Sequence, residues 1–169
     1  MTQTETIDLP RELEDAVGRV LARACDLELR LATAESCTGG LVASMLTDVE
    51  GCSHAFERGF VVYTDAAKRE LLDVSAELLA RDGAVSKACA LAMAEGALAR
   101  SAADVSIALT GYAGPTKDGG EEGLVHLACA RRGREPSHLE AHYGAIGRGP
   151  IRLACARDAL SMLEEAMPG

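Results

Sequence analysis

The chain has 169 residues, 48% of them hydrophobic, only 3% aromatic and none Trp. The core must therefore be Ala, Leu and Val, which suits one domain of helices packed on a sheet rather than a β-sandwich. A net charge of −9 argues against a general nucleic-acid or anionic-membrane surface, because both need clustered Lys and Arg.

Pro10 precedes a stretch in which Leu13, Val17, Val20, Leu21 and Ala24 recur at helical spacing, and a helix is expected to about residue 25. Residues 1–9 are polar and acidic, with no basic and apolar leader. No apolar run approaches the ~20 residues of a membrane span, so a soluble cytoplasmic protein is expected. The apolar run at residues 29–32 predicts a strand. It leads into Thr33-Ala34-Glu35-Ser36-Cys37-Thr38-Gly39-Gly40, after which Leu41, Val42, Met45 and Leu46 predict a helix over about 38–47. Strand, polar hinge, two glycines and helix is an order in which α/β enzymes present a nucleophile or hold an anion at unpaired first-turn N–H groups.

Residues 56–63, rich in β-branched and aromatic side chains, read as a second strand. Thr64-Asp65 would cap a short helix through Lys68, Leu71 and Leu72. A further short helix is expected from 74–75 to about 81, and a long Ala-rich one from the Ser86 cap to about 100. Residues 104–110 form the next strand, ending in Gly111-Tyr112-Ala113-Gly114-Pro115 and a polar loop over 116–122. Strands over 124–130 and about 137–143, joined by a short polar turn, look like an antiparallel pair, and residues 151–167 close the chain as a helix. The alternation predicts a three-layer α/β/α single domain with a mixed, mostly parallel sheet.

Six cysteines (Cys25, Cys37, Cys52, Cys89, Cys129, Cys155) are scattered without a CxxC pair. That disfavours a zinc site or a disulfide framework and favours buried free thiols. Polar groups at strand ends carry the chemistry: Ser36, the Tyr63/Lys68 pair, and Thr110-Gly111. A serine hydroxyl needs a base. His54, His126, His138 and His142 lie in no glycine-rich or polar hinge, whereas Lys68 stands among Ala66, Ala67, Leu71 and Leu72. Burial there would lower its pKa and make it a base, with Tyr63 relaying a proton or orienting it; a solvated helix lysine is the alternative. Cys37 is the rival nucleophile, and adjacent side chains diverge, so only one of Ser36 and Cys37 faces a site. Glu35 reads equally as an orienting carboxylate or a plain strand-end residue. Gly111, Gly114 and Pro115 form a second backbone-rich turn suited to an oxyanion hole or a phosphate cradle. Arg148 and Arg152 flank Gly149-Pro150, where an arginine can fork a phosphate.

The stretch from Thr33 to Gly40 resembles the hallmark of the CinA C-terminal domain, the competence/damage-inducible protein family. The resemblance continues through Leu46-Thr47-Asp48-Val49, then Val62-Tyr63-Thr64 with Ala67-Lys68, then Gly83-Ala84-Val85-Ser86, and Thr110-Gly111-Tyr112-Ala113-Gly114-Pro115. It covers about residues 27–163. Two segments depart from the family pattern. Glu121-Glu122-Gly123-Leu124 stands where a proline and a β-forming run are usual. Ile146-Gly147-Arg148 keeps the late arginine but loses the Gly and Asp before it.

Stand-alone members of that family are nicotinamide-nucleotide amidases, so the resemblance implies hydrolysis of nicotinamide mononucleotide to nicotinate mononucleotide and ammonia. It implies a nucleophile at Ser36 activated by Lys68 and Tyr63. It also implies a nucleotide site drawn from Glu35, Cys37, Thr38, Gly39, Gly40, Thr110, Gly111, Gly114 and Arg148. No metal or other cofactor is expected. The chain is read as the single-domain form, residues 1–169 with a core over about 10–167. A homo-oligomer, most simply a dimer, is expected, without direct nucleic-acid or membrane contact. The alternatives are a non-catalytic nucleotide-binding module, in which Lys68 stays protonated, and a competence- or DNA-damage-associated partner protein.

Overall fold

The computed structural model describes residues 9–117 and 119–168. The acidic lead over 1–8 and Asp118 of the 116–122 loop lie outside the described residues. The elements in chain order are α1 (Arg11–Asp26), β1 (Leu31–Glu35), α2 (Leu41–Met45), β2 (Phe56–Val61), α3 (Asp65–Leu72) and α4 (Ala76–Asp82), then α5 (Lys87–Ala99), β3 (Val105–Gly111), β4 (Leu124–Arg131), β5 (Ser137–His142) and α6 (Arg148–Ala166). The five strands form one sheet in the order β2-β1-β3-β4-β5. β1 pairs in parallel with both β2 and β3, and β4 and β5 extend the sheet as the expected antiparallel pair. This is the expected three-layer α/β fold, with a parallel half and a hairpin half.

Alternation along β3 divides the core. Val105, Ile107 and Leu109 face α1 and α6, meeting Val17, Leu21, Ile151 and Leu160. The opposite face is lined by Ala32, Ala34, Ala108 and Ala128, small enough for α5 to sit close. There Ser106 Oγ donates to the Ala94 carbonyl at 2.7 Å. Gly96 of α5 takes the closeness furthest: a Cβ on it would lie 2.1 Å from the Leu72 carbonyl oxygen at the end of α3.

The caps read from sequence at Thr64 and Ser86 hold, and Ser75 caps α4 in the same way. Each accepts from the backbone N–H three residues on, at Ala67, Cys89 and Leu78. Four boundaries differ. β1 covers Leu31–Glu35, so it runs past the apolar 29–32 stretch into the residues read as the hinge. The second helix spans only Leu41–Met45, because Gly39 and Gly40, at φ 62° and 94°, cannot belong to it. β2 stops at Val61, leaving Tyr63 in the link to α3. α6 starts at Arg148 rather than 151, with Pro150 in its first turn, where its missing N–H costs nothing. Among the described residues no helix is long and apolar enough to cross a membrane, and all six cysteines are free.

Candidate active site

A cavity of about 440 Å³ opens at the carboxyl ends of β1 and β3. β1 is the central parallel strand, flanked by β2 and β3, so the chain leaving it enters the crevice where open α/β sheets hold ligands. Ser36 is the first residue beyond β1. Its N–H continues the ladder to the Leu109 carbonyl at 3.0 Å, and its side chain faces the cavity.

Lys68 reaches Ser36 from the other side. The Thr64 cap starts α3 just after β2, which places Lys68 one turn into the helix, on its buried side. The side chain is 1% exposed. Its Nζ lies 3.3 Å from Ser36 Oγ, 3.1 Å from the Val62 carbonyl and 3.5 Å from the Tyr63 carbonyl. Desolvation pushes the Lys68 ammonium below the ordinary lysine value, against the opposing pull of Cys89, Asp65 and Cys37. A neutral amine has two N–H donors and one lone pair. The two carbonyls take the donors, and the lone pair is left for the Ser36 hydroxyl proton.

Tyr63 acts differently from the expectation. Its phenol is 71% exposed at the cavity mouth, and only its backbone carbonyl approaches Lys68. The proton-relay role expected for the Tyr63 side chain does not match this geometry. The four histidines stand outside the cavity wall: His126 and His138 stack on each other, and His142 bonds to Glu121 and Glu140.

The hinge after Ser36 is braced from within. Glu35 is fully buried. Its Oε2 accepts from Thr38 Oγ1 at 2.6 Å, from Gly40 N–H at 3.2 Å and from Val42 N–H at 3.1 Å, while Oε1 accepts from Ala43 N–H at 2.7 Å. The carboxylate thus caps α2 from the preceding strand and consumes the N–H groups expected to face a ligand. Thr38 gives its hydroxyl to Glu35, and its carbonyl accepts from Arg152 at 2.5 and 3.2 Å. Glu35, Thr38, Gly39 and Gly40 therefore shape the hinge and lie outside the cavity wall, a correction to their expected role as substrate contacts. Of the two late arginines, Arg152 is spent on the hinge, and Arg148 lines the cavity.

Cys37 forms part of the wall, but it is buried, at 9% exposed. Ser36, not Cys37, makes the contact with Lys68. On the far wall, Thr110 donates its hydroxyl to the Ala84 carbonyl at 2.7 Å, tying the end of β3 to the loop before α5. A Cβ at Gly111 would meet the Leu124 carbonyl at 2.6 Å, so this position needs glycine for close packing, whereas one at Gly114 would meet only the guanidinium of Arg148, at 2.9 Å from Nη2. Ala84, Val85, Tyr112, Ala113, Pro115 and Thr116 complete the wall. Of these, the sequence reading did not place Ala84, Val85, Tyr112 and Thr116 in the site; only the turn before the Ser86 cap hinted at the first two. Among the described residues no cluster of three His, Cys, Asp or Glu side chains is arranged to hold a metal ion.

Comparison with known proteins agrees with the fold. The family model of the CinA C-terminal domain matches residues 12–167. A CinA-like protein of Akkermansia muciniphila is 52% identical over 156 residues, which is 91% of this chain and 37% of that protein. One from Syntrophotalea carbinolica is 48% identical over 154 residues, 89% of this chain and 36% of its own length. The chain thus spans little more than a third of these curated relatives. A solved structure of a competence/damage inducible protein from Agrobacterium tumefaciens superposes with a TM-score of 0.89 at 46% identity, covering 94% of this chain and 97% of its own. A CinA superfamily protein from Escherichia coli gives 0.85 at 37%, covering 96% and 97%. The chain belongs to the CinA C-terminal domain family.

Proposed function

We propose that the chain is a serine amidohydrolase that releases ammonia from the carboxamide of nicotinamide mononucleotide. The observation that carries this reading is the Ser36–Lys68 contact: a buried amine without an ion-pair partner among the described residues, 3.3 Å from a hydroxyl on the wall of a cavity. Lys68 takes the Ser36 proton as Oγ attacks the carboxamide carbon. The Gly111–Gly114 turn offers backbone N–H groups to the oxyanion. That of Tyr112 is already bound to Leu124, so the donors come from Ala113 and Gly114. The Lys68 ammonium returns its proton to the leaving nitrogen, ammonia departs, and water activated by Lys68 resolves the acyl-enzyme.

The cavity volume falls within the span of about 300–1,000 Å³ typical of small-molecule sites. The nucleotide phosphate is placed beside Arg148, at the N-terminus of a 19-residue helix whose N-cap Gly147 supplies no capping side chain. There the guanidinium and the helix dipole favour an anion together.

The test is ammonia release from nicotinamide mononucleotide by purified protein, beside Ser36→Ala and Lys68→Ala. Both variants are expected to keep the fold, measured by circular dichroism, and to lose turnover by at least ~10²-fold. Undiminished release by a folded Ser36→Ala protein would remove the proposal. Calorimetric binding of the nucleotide without turnover would leave a binding module in its place.

A further inference from the structure

The turn that carries Ser36 is held at three points. The Ser36 N–H donates to the Leu109 carbonyl of β3 at 3.0 Å, and the Ser36 carbonyl accepts from the Gly39 N–H at 3.1 Å, closing a tight turn over 36–39. Inside that turn the Thr38 hydroxyl donates to Glu35 of β1 at 2.6 Å. The third hold comes from α6: Arg152 donates to the Thr38 carbonyl from Nη2 at 2.5 Å and from Nε at 3.2 Å. We propose that Arg152 is a positioning residue for the proposed reaction, fixing the Ser36 turn against the Gly111–Gly114 turn from the start of α6.

Two observations separate this contact from an ordinary brace. The Thr38 carbonyl already accepts from the Leu41 N–H at 3.2 Å, so the guanidinium is not needed to satisfy it. Among the described residues Arg152 also enters no ion pair. Its planar fork is spent on one neutral oxygen, and two donors converging there fix the direction of the carbonyl as a single ammonium does not. One helical turn earlier, on the same side of α6, Arg148 lies against the other loop: its Nη2 is 2.9 Å from where a Cβ on Gly114 would stand. Between the two arginines Ile151, 0% exposed, anchors the helix in the core. The start of α6 thus touches both the loop that carries the nucleophile and the turn that offers the oxyanion donors.

The Lys68–Ser36 approach of 3.3 Å is long for a hydrogen bond, and a misplacement of about 1 Å at a reacting group costs on the order of 10²-fold in rate. Removing Arg152 frees the Thr38 carbonyl to swing with the serine turn. The Glu35 cap of α2 and the ladder bond to Leu109 stay in place. The loss therefore falls on the attack by Ser36 rather than on folding or substrate binding. This role rests on the Ser36–Lys68 amidase reading, but any reagent that Ser36 attacks reports it.

The experiment compares the full chain with Arg152→Met and Arg152→Lys in two assays. One is kcat and KM for ammonia release from nicotinamide mononucleotide. The other is the rate at which a fluorophosphonate modifies Ser36, where the Oγ–P bond forms and fluoride leaves, with Ser36→Ala as the blank. Circular dichroism melts check the fold. Arg152→Met, which keeps the aliphatic stem, is expected to lose about 10-fold or more in kcat and in labelling rate, with KM within about 3-fold of wild type. Arg152→Lys, which keeps one cationic donor, should recover part of both. A folded Arg152→Met or Arg152→Lys protein with kcat and labelling at wild-type rates would overturn the proposal. So would a raised KM with kcat unchanged, which would make Arg152 a substrate contact. Slowed labelling of Arg152→Met, in a protein whose wild type labels but releases no ammonia, would uphold the positioning role and count against the amidase reading alone. A wild type that neither labels nor releases ammonia would overturn both.

Discussion

Lys68 is 1% exposed, and among the described residues it forms no ion pair. Keeping an amine in that state costs folding free energy, because the unfolded chain can protonate it freely. Its folded pKa lies below its unfolded value. Stability is therefore fullest above the ordinary lysine pKa, and is lost as pH falls from there through the folded value. Lys68→Met, which fills the same space without the amine, should be more stable than wild type at pH 7. The gain should shrink as pH rises toward the ordinary lysine value, and turnover should be abolished throughout. Urea midpoints at neutral and at alkaline pH measure this; a variant less stable than wild type at pH 7 would contradict it. Ser36 and Lys68 were legible in the sequence for physical reasons. A hydroxyl stood at a strand end before two glycines, and a lysine stood in an otherwise apolar turn. Glu35 was not legible, since a strand-end carboxylate reads equally as ligand or cap. The signal that would have decided it is Gly40: a glycine N-cap leaves the first-turn donors without a side-chain acceptor, so one must come from elsewhere.

At the scale of elements, two short helices set the site, and each depends on one residue. α2 has five residues and no side chain at its N-cap to accept its first N–H groups. The Glu35 carboxylate supplies that acceptor and, through it, the rigidity of the hinge. Glu35→Ala would leave several donors buried and unpaired, at a cost of about 3 kcal/mol or more; Glu35→Gln, which keeps one acceptor oxygen, should lose less. Chemical denaturation of the two variants checks the order. α3 carries Lys68 and is seated on Gly96. Gly96→Ala should cost about 1–3 kcal/mol and also lower turnover, because α3 has to move. Gly18 in α1 has no atom within 4 Å of an added Cβ, so Gly18→Ala should stabilise by up to about 1 kcal/mol. Equal melting temperatures for the two variants would contradict this account of how α3 is seated. Caps and apolar periodicity made the helices legible. The early start of α6 was not, because Pro150 reads as a boundary although a first-turn proline is compatible with a helix.

For the whole molecule, the order β2-β1-β3-β4-β5 places β1 between two parallel neighbours, so residues far apart in sequence gather at its end: Ser36 after β1, Lys68 in α3, Thr110 on β3 and Arg148 at the start of α6. Alternating strands and helices foretold the layers, and the polar turn at 131–136 foretold the hairpin. What the pattern could not give was convergence, because strand order is not written in local periodicity. Ala84 and Val85 show this. They read as an unremarkable link before a cap, and they enter the wall only because Thr110 of a strand 26 residues later bonds to the Ala84 carbonyl. Everything the fold assembles there serves one claim, that a neutral Lys68 activates Ser36. The measurement that tests it most directly is kcat/KM for ammonia release as a function of pH, in wild type and in Lys68→Arg. The account predicts that wild-type turnover rises with pH through a single inflection below the ordinary lysine value, and that Lys68→Arg, which stays protonated, is inactive at every pH. A flat profile, or a Lys68→Arg protein as active as wild type, would contradict it.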